Sequence, residues 1–273
     1  MDIFWYIALT FMFCMYVILD GFDLGVGIIH FLVGKNESER SQILEAIGPF
    51  WDGNEVWLIA AGGTLYFAFP RVYASSFSGF YLPFMIVLWL LILRALGIEL
   101  RHQLHHPLWV KMWDRVFSLS SLLLSIFLGA AHGNLIRGVP LNSEGFFFVP
   151  LWTSLLPDNS PGVIDWFTLL FAGVAVSTFI VHGANWLAFK TNGEIQLRAR
   201  ILSRRGWYGV TIISSLAIAA VTIHRVTFWE NFLLHPWGFL FILLSILSWL
   251  AIFHFNRQQK DLAGFLSSSL FIL

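Results

Sequence analysis

The sequence predicts an all-α, polytopic transmembrane helical bundle, and two observations predict it: the composition and the long apolar segments. Of the 273 residues, 58% are hydrophobic and only 12% are charged, whereas an average soluble domain has roughly 45–50% apolar and about 25% charged residues. So few charges could not cover the surface of a water-soluble fold. The apolar residues also form segments of about 20 residues, the length that a helix needs to cross a bilayer.

Seven segments are long enough to cross the membrane, and an eighth apolar run extends from Leu262 to Leu273. Because a run of about 12 residues is too short to cross a bilayer, we expect seven full spans plus a truncated eighth, arranged as two four-helix bundles. The expected domains are a first bundle over residues 1–133, an outer loop over 134–162 and a second, C-terminally short bundle over 163–273. The seven spans are residues 3–32, 47–69, 77–98, 116–133, 163–189, 207–224 and 237–255.

Lys and Arg are distributed unequally between the two sets of loops. The loops after spans 1, 3, 5 and 7 hold twelve of these residues, whereas those after spans 2, 4 and 6 hold only Arg71, Arg137 and Arg225. Since cytoplasmic loops carry the excess of Lys and Arg, the twelve-charge side is predicted to be cytoplasmic and the N-terminus to lie outside. The outer loop contains four prolines and is expected to be irregular.

The charge balance and the cysteine content exclude several classes of protein. The chain has 16 basic and 16 acidic residues, whereas nucleic-acid-binding proteins have a basic excess. The single cysteine, Cys14, excludes an internal disulfide, a CxxC redox motif and a thiolate iron–sulfur cluster. The sequence also has no pattern of a nucleophile triad, a phosphate-binding loop, a dinucleotide fingerprint or a zinc site, so no metal is expected.

Two acids and two glycines stand close together in span 1. Asp20 and Asp23 are three residues apart and lie on nearly one helix face. Charges inside a span are costly unless they are paired or solvated, so the acids are candidates for proton handling or for fixing a subunit contact. The alternative is a packing seam in which neighbouring donors satisfy both acids. Gly21 and Gly25 form a GxxxG pair, which lets another helix approach closely.

The i, i+3 spacing of acids recurs at the start of span 2, where Asp52 and Glu55 lie between Trp51 and Trp57. Acids in the first turn of a helix also stabilise its positive end, so a purely structural role is the alternative. We favour proton handling for Asp52. The two tryptophans, like Gly21, are candidates for packing against another subunit.

Arg94 lies deep in span 3 and is followed by Glu99. A buried arginine needs an anion, and Asp20, Asp23 and Asp52 lie at a compatible depth. The pairing is either functional or purely structural. Because buried carboxyl groups can exchange protons near neutral pH, we expect the four acids to form a proton uptake path from the cytoplasm, with Arg94 as its ion-pair support.

The histidines allow two interpretations. His132 and His182 lie at or within spans, where helical bundles can bind haem through axial ligands. We favour the other interpretation, an interior histidine held by hydrogen bonds. His102, His105 and His106 are expected to lie in a solvated cytoplasmic loop.

Six stretches, which cover most of residues 1–200, together resemble one family and occur in its order. They are DGFDLGVG (20–27), PFWDGNEVWLIAAGG (49–63), FPRVYASSFSGFY (69–81), LRALGIELR (93–101), GNLIRGVP (133–140) and HGANWLAFKTNGEIQLRAR (182–200). The family that they resemble is subunit II of the cytochrome bd-type quinol oxidases, which includes a cyanide-insensitive branch.

The resemblance implies a role that residue spacing alone does not show. Such oxidases lie in the bacterial plasma membrane, oxidise quinol, reduce dioxygen to water and take up protons from the cytoplasm. The resemblance places haem b and haem d in a partner, the haem-bearing subunit I, and none in this chain. It allows a bound quinone or lipid and small accessory transmembrane subunits. It makes Asp52 the first candidate for the proton route, followed by Asp20 and Asp23.

The alternative to an oxidase subunit is a secondary transporter, because transporters also contain intramembrane acids and Gly-interrupted helices. Against it, the two halves of the sequence show no pair of equivalent broken helices. A haem-binding bundle in its own right is a third interpretation. The chain also departs from the resembled family, whose members usually have eight or nine helices, and is expected to lack the last part of its second bundle.

Overall fold

The computed structural model describes residues 2–156, 161–224 and 227–273. Within these ranges the chain is helical, and one isolated β-bridge joins Trp152 to Ile164. The predicted all-α class is therefore confirmed. The helices are α1 (Asp2–Val33), α2 (Glu37–Ile47), α3 (Trp51–Ala68), α4 (Pro70–Gly79), α5 (Tyr81–Glu99), α6 (Pro107–Arg137), α7 (Trp166–Lys190), α8 (Gly193–His224), α9 (Thr227–Leu234), α10 (Phe239–Arg257) and α11 (Asp261–Ile272), with short 3-10 helices at Leu100–His102 and Pro236–Gly238.

Six helices of the described chain are long and apolar enough to cross a membrane, and they match six of the seven predicted spans. They are Asp2–Val33, Tyr81–His102, Pro107–Arg137, Trp166–Lys190, Gly193–His224 and Pro236–Arg257. The remaining predicted span became α3, whose first turns carry Asp52, Asn54 and Glu55. These polar residues lower its mean hydropathy, so seven full crossings stay a prediction. The predicted short eighth segment forms α11, which has 12 residues.

The most deeply buried long helix is α7, which packs against α1, α6, α8 and α11. Its start is fixed by Asp165, whose side chain accepts hydrogen bonds from the backbone N–H groups of Phe167 and Thr168. Such a capping box satisfies donors that a helix N-terminus leaves free. Because α1 and α6 contact α7, the two predicted halves pack together. The division at residues 134–162 and the two four-helix bundles stay predictions.

The loops that carry the twelve cations meet at one end of the bundle. Three ion pairs connect these loops. Arg40–Asp114 joins the loops after spans 1 and 3, Arg198–Glu39 joins those after spans 5 and 1, and Arg200–Asp261 joins those after spans 5 and 7. The loops that are predicted to share one side of the membrane therefore contact one another, and the assignment of this end to the cytoplasm stays a prediction. Pro157 of the outer loop and Arg225 lie outside the described residues.

Candidate functional site

A buried cluster of charges joins α1, α3 and α5. Arg94 of α5 and Asp20 of α1 are both fully buried. The Nη2 atom of Arg94 lies 2.6 Å from Oδ1 of Asp20 and also donates a hydrogen bond to Glu55 of α3. The contact with Asp20 has the distance of an ion pair, although its angles are not those of a hydrogen bond. The structure thus brings Arg94 together with one of the acids expected at its depth.

Asp23 lies one turn after Asp20 and is also fully buried. Its Oδ2 atom accepts a hydrogen bond of 2.8 Å from the side-chain amide of Asn54, which also donates to the carbonyl oxygen of Leu19 at 3.2 Å. Among the described residues, Oδ1 of Asp23 and the buried hydroxyl of Tyr16 have no hydrogen-bond partner. The cluster therefore contains more buried polar atoms than it has partners for them.

The segment DGFDLGVG directs its acids and its glycines to nearly opposite faces of α1, because the helix has 3.6 residues per turn. A Cβ atom on Gly25 would lie 1.9 Å from the carbonyl oxygen of Phe179 in α7, and one on Gly21 would lie 2.9 Å from the ring of the same residue. The close packing expected of the two glycines is thus made with α7 of this chain. One face of α1 contacts α7 while the other contributes acids to the cluster.

Asp52 and Glu99 lie outside the cluster. Both side chains are exposed, and neither has an ion-pair partner in the part of the chain that the structure describes. Asp52 is in the first turn of α3, three residues before Glu55, and Glu99 is the last residue of α5. Sequence reasoning ranked Asp52 above Glu55, and Glu55 is the residue that contacts Arg94. The signal that could have identified Glu55 was the i, i+3 spacing that Asp52 and Glu55 share with Asp20 and Asp23.

The two tryptophans of this region have partners in the chain itself. Trp51 is half-buried and packs against the apolar core that includes Ile47 and Phe22. Trp57 meets the ring of Phe11 edge to face, with 5.8 Å between the ring centroids. Their predicted contact with another subunit stays a prediction.

A second buried charge cluster was missed by sequence reasoning, and Asp114 of α6 is its centre. Oδ1 of Asp114 lies 2.6 Å from Nε of Arg101 and 3.0 Å from Nε2 of His30, and Oδ2 lies 2.9 Å from Nε of Arg40. Arg101 also donates to the hydroxyl of Ser41 at 3.1 Å. Sequence reasoning counted both arginines only among the twelve cations of the loops. The signal that could have found the cluster was the lone acid Asp114, which lies within a basic segment.

His182 of α7 is the interior histidine. It is fully buried, with Nδ1 at 2.7 Å from the hydroxyl of Ser268 and Nε2 at 3.0 Å from the carbonyl oxygen of Ile18. Its ring also stacks on Phe265 with 4.9 Å between centroids. Both ring nitrogens are therefore engaged in hydrogen bonds that hold α1, α7 and α11 together, whereas His132 is exposed.

An ion pair at the other end of the bundle fixes the start of α7. Arg137 donates to Asp165, to Oδ1 of Asn134 at 2.7 Å and to the carbonyl oxygen of Gly162 at 2.8 Å. Burial alone would raise the pKa of Asp165. The hydrogen bonds from Arg137 and from the backbone amides of Thr168 and Gly162 outweigh burial and hold that pKa below its usual value. The GNLIRGVP stretch thus anchors the outer loop to α7.

Comparison with known proteins gives a single family. The family model described as "Cytochrome bd terminal oxidase subunit II" matches residues 1–273. The chain is 37% identical over 196 residues to the "Cytochrome bd-I ubiquinol oxidase subunit 2" of Escherichia coli K12, which covers 72% of this chain and 50% of that protein. It is 35% identical over 222 residues to the "Cytochrome bd ubiquinol oxidase subunit 2" of Bacillus subtilis, which covers 81% of this chain and 62% of that one.

The fold is also similar to a solved structure. A chain of the bd oxidase from Geobacillus thermodenitrificans matches with a TM-score of 0.76 and 15% identity, over 99% of this chain and 80% of that chain. The chain spans only about half to two thirds of the length of the two curated relatives. Because the family model covers every residue, the chain belongs to the cytochrome bd terminal oxidase subunit II family, as the six stretches predicted.

Proposed function

We propose that the chain acts as the non-haem subunit II of a membrane quinol:oxygen oxidoreductase, which oxidises quinol and reduces dioxygen to water. Family membership supports this role and favours it over the secondary transporter. We further propose that the cluster around Arg94 belongs to a path that carries protons from the cytoplasmic side. The chain would lie in the bacterial plasma membrane with its N-terminus outside.

In this proposal the haem chemistry belongs to a partner. Haem b and haem d would be bound by the haem-bearing subunit I, and His182 supports this division because iron binding would break one of its two hydrogen bonds. Broad apolar surfaces remain exposed on the described chain, for example at Ile3, Ile59 and Phe67. Such surfaces suit lipid or another transmembrane subunit. Quinol, bound quinone and small accessory subunits complete the proposed set of partners.

The observation that carries the proton path is the charge balance of the buried cluster. Asp20 and Glu55 contact the single guanidinium of Arg94, and Asp23 lies one turn from Asp20 with Asn54 as its hydrogen-bond partner. If all three acids were ionised, two negative charges would lack a compensating cation in a low-dielectric interior, which is costly. Bound protons can balance them. A group of carboxyls in this state can take up and release protons without rearranging the helices.

The geometry suggests where protons would enter this group. Asp52 is exposed and precedes Glu55 by three residues, which is about 4.5 Å along a helix axis. A proton taken up at Asp52 would reach Glu55, then the acids of α1. Glu99, exposed at the end of α5, is a second candidate for uptake.

The test is the Asp52→Asn variant in the purified complex with its haem-bearing partner. We expect quinol-driven oxygen consumption to fall about tenfold or more, because an acid that transfers protons contributes at least that much, while haem content stays unchanged. Glu45→Gln is the matched control, since Glu45 is exposed on α2 at the same end of the bundle. Unchanged turnover in Asp52→Asn would remove Asp52 from the path, and loss of haem would assign it a structural role.

A further inference from the structure

A groove between the end of α1 and the start of α8 combines basic and apolar side chains. It has a volume of about 240 Å³ and is lined by Leu32, Val33, Lys35, Arg198, Ile201, Leu202 and Arg205. On α8 the lining residues have the spacing i, i+3, i+4, i+7, so they share one face of the helix. The two arginines of that face are about 10 Å apart along the axis.

The cations of this groove are not equally neutralised. Arg198 forms an ion pair with Glu39 at 2.7 Å. Lys35 and Arg205 are exposed, and neither has an ion-pair partner within residues 2–156, 161–224 and 227–273. Glu39 accepts a further hydrogen bond from the backbone N–H of Lys35 at 2.7 Å. The groove therefore keeps a net positive charge from two side chains, Lys35 in the connection between α1 and α2 and Arg205 on α8.

The apolar wall of the groove points to an amphiphilic ligand. Leu32 is 54% exposed and Ile201 is 39% exposed. Leu32 lies at the end of a candidate span, and Ile201 lies on α8 one turn before Arg205, beside the cations that would face the headgroups. A soluble anion would gain nothing from these side chains, whereas an acyl chain would cover them.

We propose that this groove binds an anionic phospholipid, with the phosphate between Lys35 and Arg205 and an acyl chain along Leu32. Basic pockets between transmembrane helices on the cytoplasmic side are typical sites for anionic headgroups. A volume of 240 Å³ suits a headgroup, because pockets that enclose a whole drug-sized ligand measure roughly 300–1,000 Å³. The site does not depend on the proposed proton path, since none of its residues belongs to the cluster around Arg94.

The test measures lipid binding to the full purified chain by native mass spectrometry, with phosphatidylglycerol and phosphatidylcholine of the same acyl chains as probes. We expect the wild type to bind phosphatidylglycerol more tightly. In the double variant Lys35→Gln with Arg205→Gln, this binding should weaken about 25-fold, because each cation near an anionic headgroup contributes about fivefold. Equal affinity for the two lipids would overturn the proposal.

The matched control is Lys111→Gln with Arg204→Gln, which removes two exposed cations from the same end of the bundle outside the groove. It should retain phosphatidylglycerol binding within about twofold, and a loss equal to that of the groove variant would overturn the proposal. A further variant, Leu32→Ser, keeps every cation and should weaken phosphatidylglycerol binding by removing the apolar contact with the acyl chain. Unchanged binding in Leu32→Ser, or displacement of the lipid by millimolar inorganic phosphate, would mean a free-anion site and overturn the lipid assignment.

Discussion

The two buried charge clusters of this chain have opposite compositions. The cluster around Arg94 holds three acids and one guanidinium, which contacts two of them, and several oxygen atoms of Asp20 and Asp23 have no hydrogen-bond partner among the described residues. In the cluster around Asp114, one acid receives contacts from two arginines and His30. Both clusters are anchored to α1, about two turns apart.

This difference indicates different roles. The carboxylate of Asp114 has cationic or polar donors at both oxygen atoms, so it is saturated and has little freedom to bind a proton. It joins α1, α2, the 3-10 helix after α5 and the start of α6, which makes it a structural clamp. The acids around Arg94 instead outnumber their cation, as the proposed proton path requires. The number of acids for each buried cation therefore separates a clamp from a candidate proton site.

The largest effect is expected when the clamp is broken by Asp114→Asn. This change leaves Arg101 and His30 buried without an anion, and breaking a buried ion pair costs about 3–5 kcal/mol. The free energy of unfolding, measured by titration with a denaturing detergent, should fall by about 3 kcal/mol or more. Glu37→Gln, an exposed acid on α2, is the control and should be nearly neutral. A loss under about 1 kcal/mol for Asp114→Asn would contradict the clamp.

Gly25→Ala should disturb both clusters together, because both use α1. The added Cβ would lie 1.9 Å from the carbonyl oxygen of Phe179, so α1 must move away from α7. Overpacking of this kind typically costs about 1–3 kcal/mol. Gly53→Ala is the matched control, since a Cβ on Gly53 meets no atom within 4 Å. Equal stability of the two variants would show that the close approach of α1 and α7 is not required.

The Arg94→Gln variant separates the two clusters by their response to pH. Removing the cation leaves three acids that can be neutralised by protons, so the loss should be about 2 kcal/mol at pH 7.5 and smaller at pH 5.5. The loss in Asp114→Asn should not shrink in this way, because its stranded arginines stay charged at both pH values. Detergent unfolding at the two pH values measures both. A loss in Arg94→Gln that is the same at pH 7.5 and pH 5.5 would contradict the exchange of protons in this cluster.

Sequence reasoning could predict most of the fold, because apolar segments of bilayer length are strong signals. It also found Asp20, Asp23 and Arg94, since charges inside apolar spans are conspicuous. It could not predict that Asp114 is the centre of a charge cluster. The partners of Asp114 come from distant parts of the sequence, and each looks like an ordinary residue at a helix end. They are Arg40, Arg101 and His30. Likewise, Glu55 and Asp52 have equivalent spacing, and only the packing of α3 against α1 decides which of them reaches Arg94.

The smallest effect is expected for Asp165, which belongs neither to the cluster around Asp114 nor to the cluster around Arg94. Because Arg137 and backbone amides lower its pKa in the folded chain, the ionised form stabilises the fold. This contribution is fully present above the unfolded-state pKa and is lost as the pH falls through the lower folded-state pKa. The stability of the wild type should therefore decline by about 1 kcal/mol more than that of Asp165→Asn when the pH is lowered from 6 to 3. Parallel pH profiles of the two proteins would show that Arg137 does not stabilise the ionised acid, and that the start of α7 is held by the cap geometry alone.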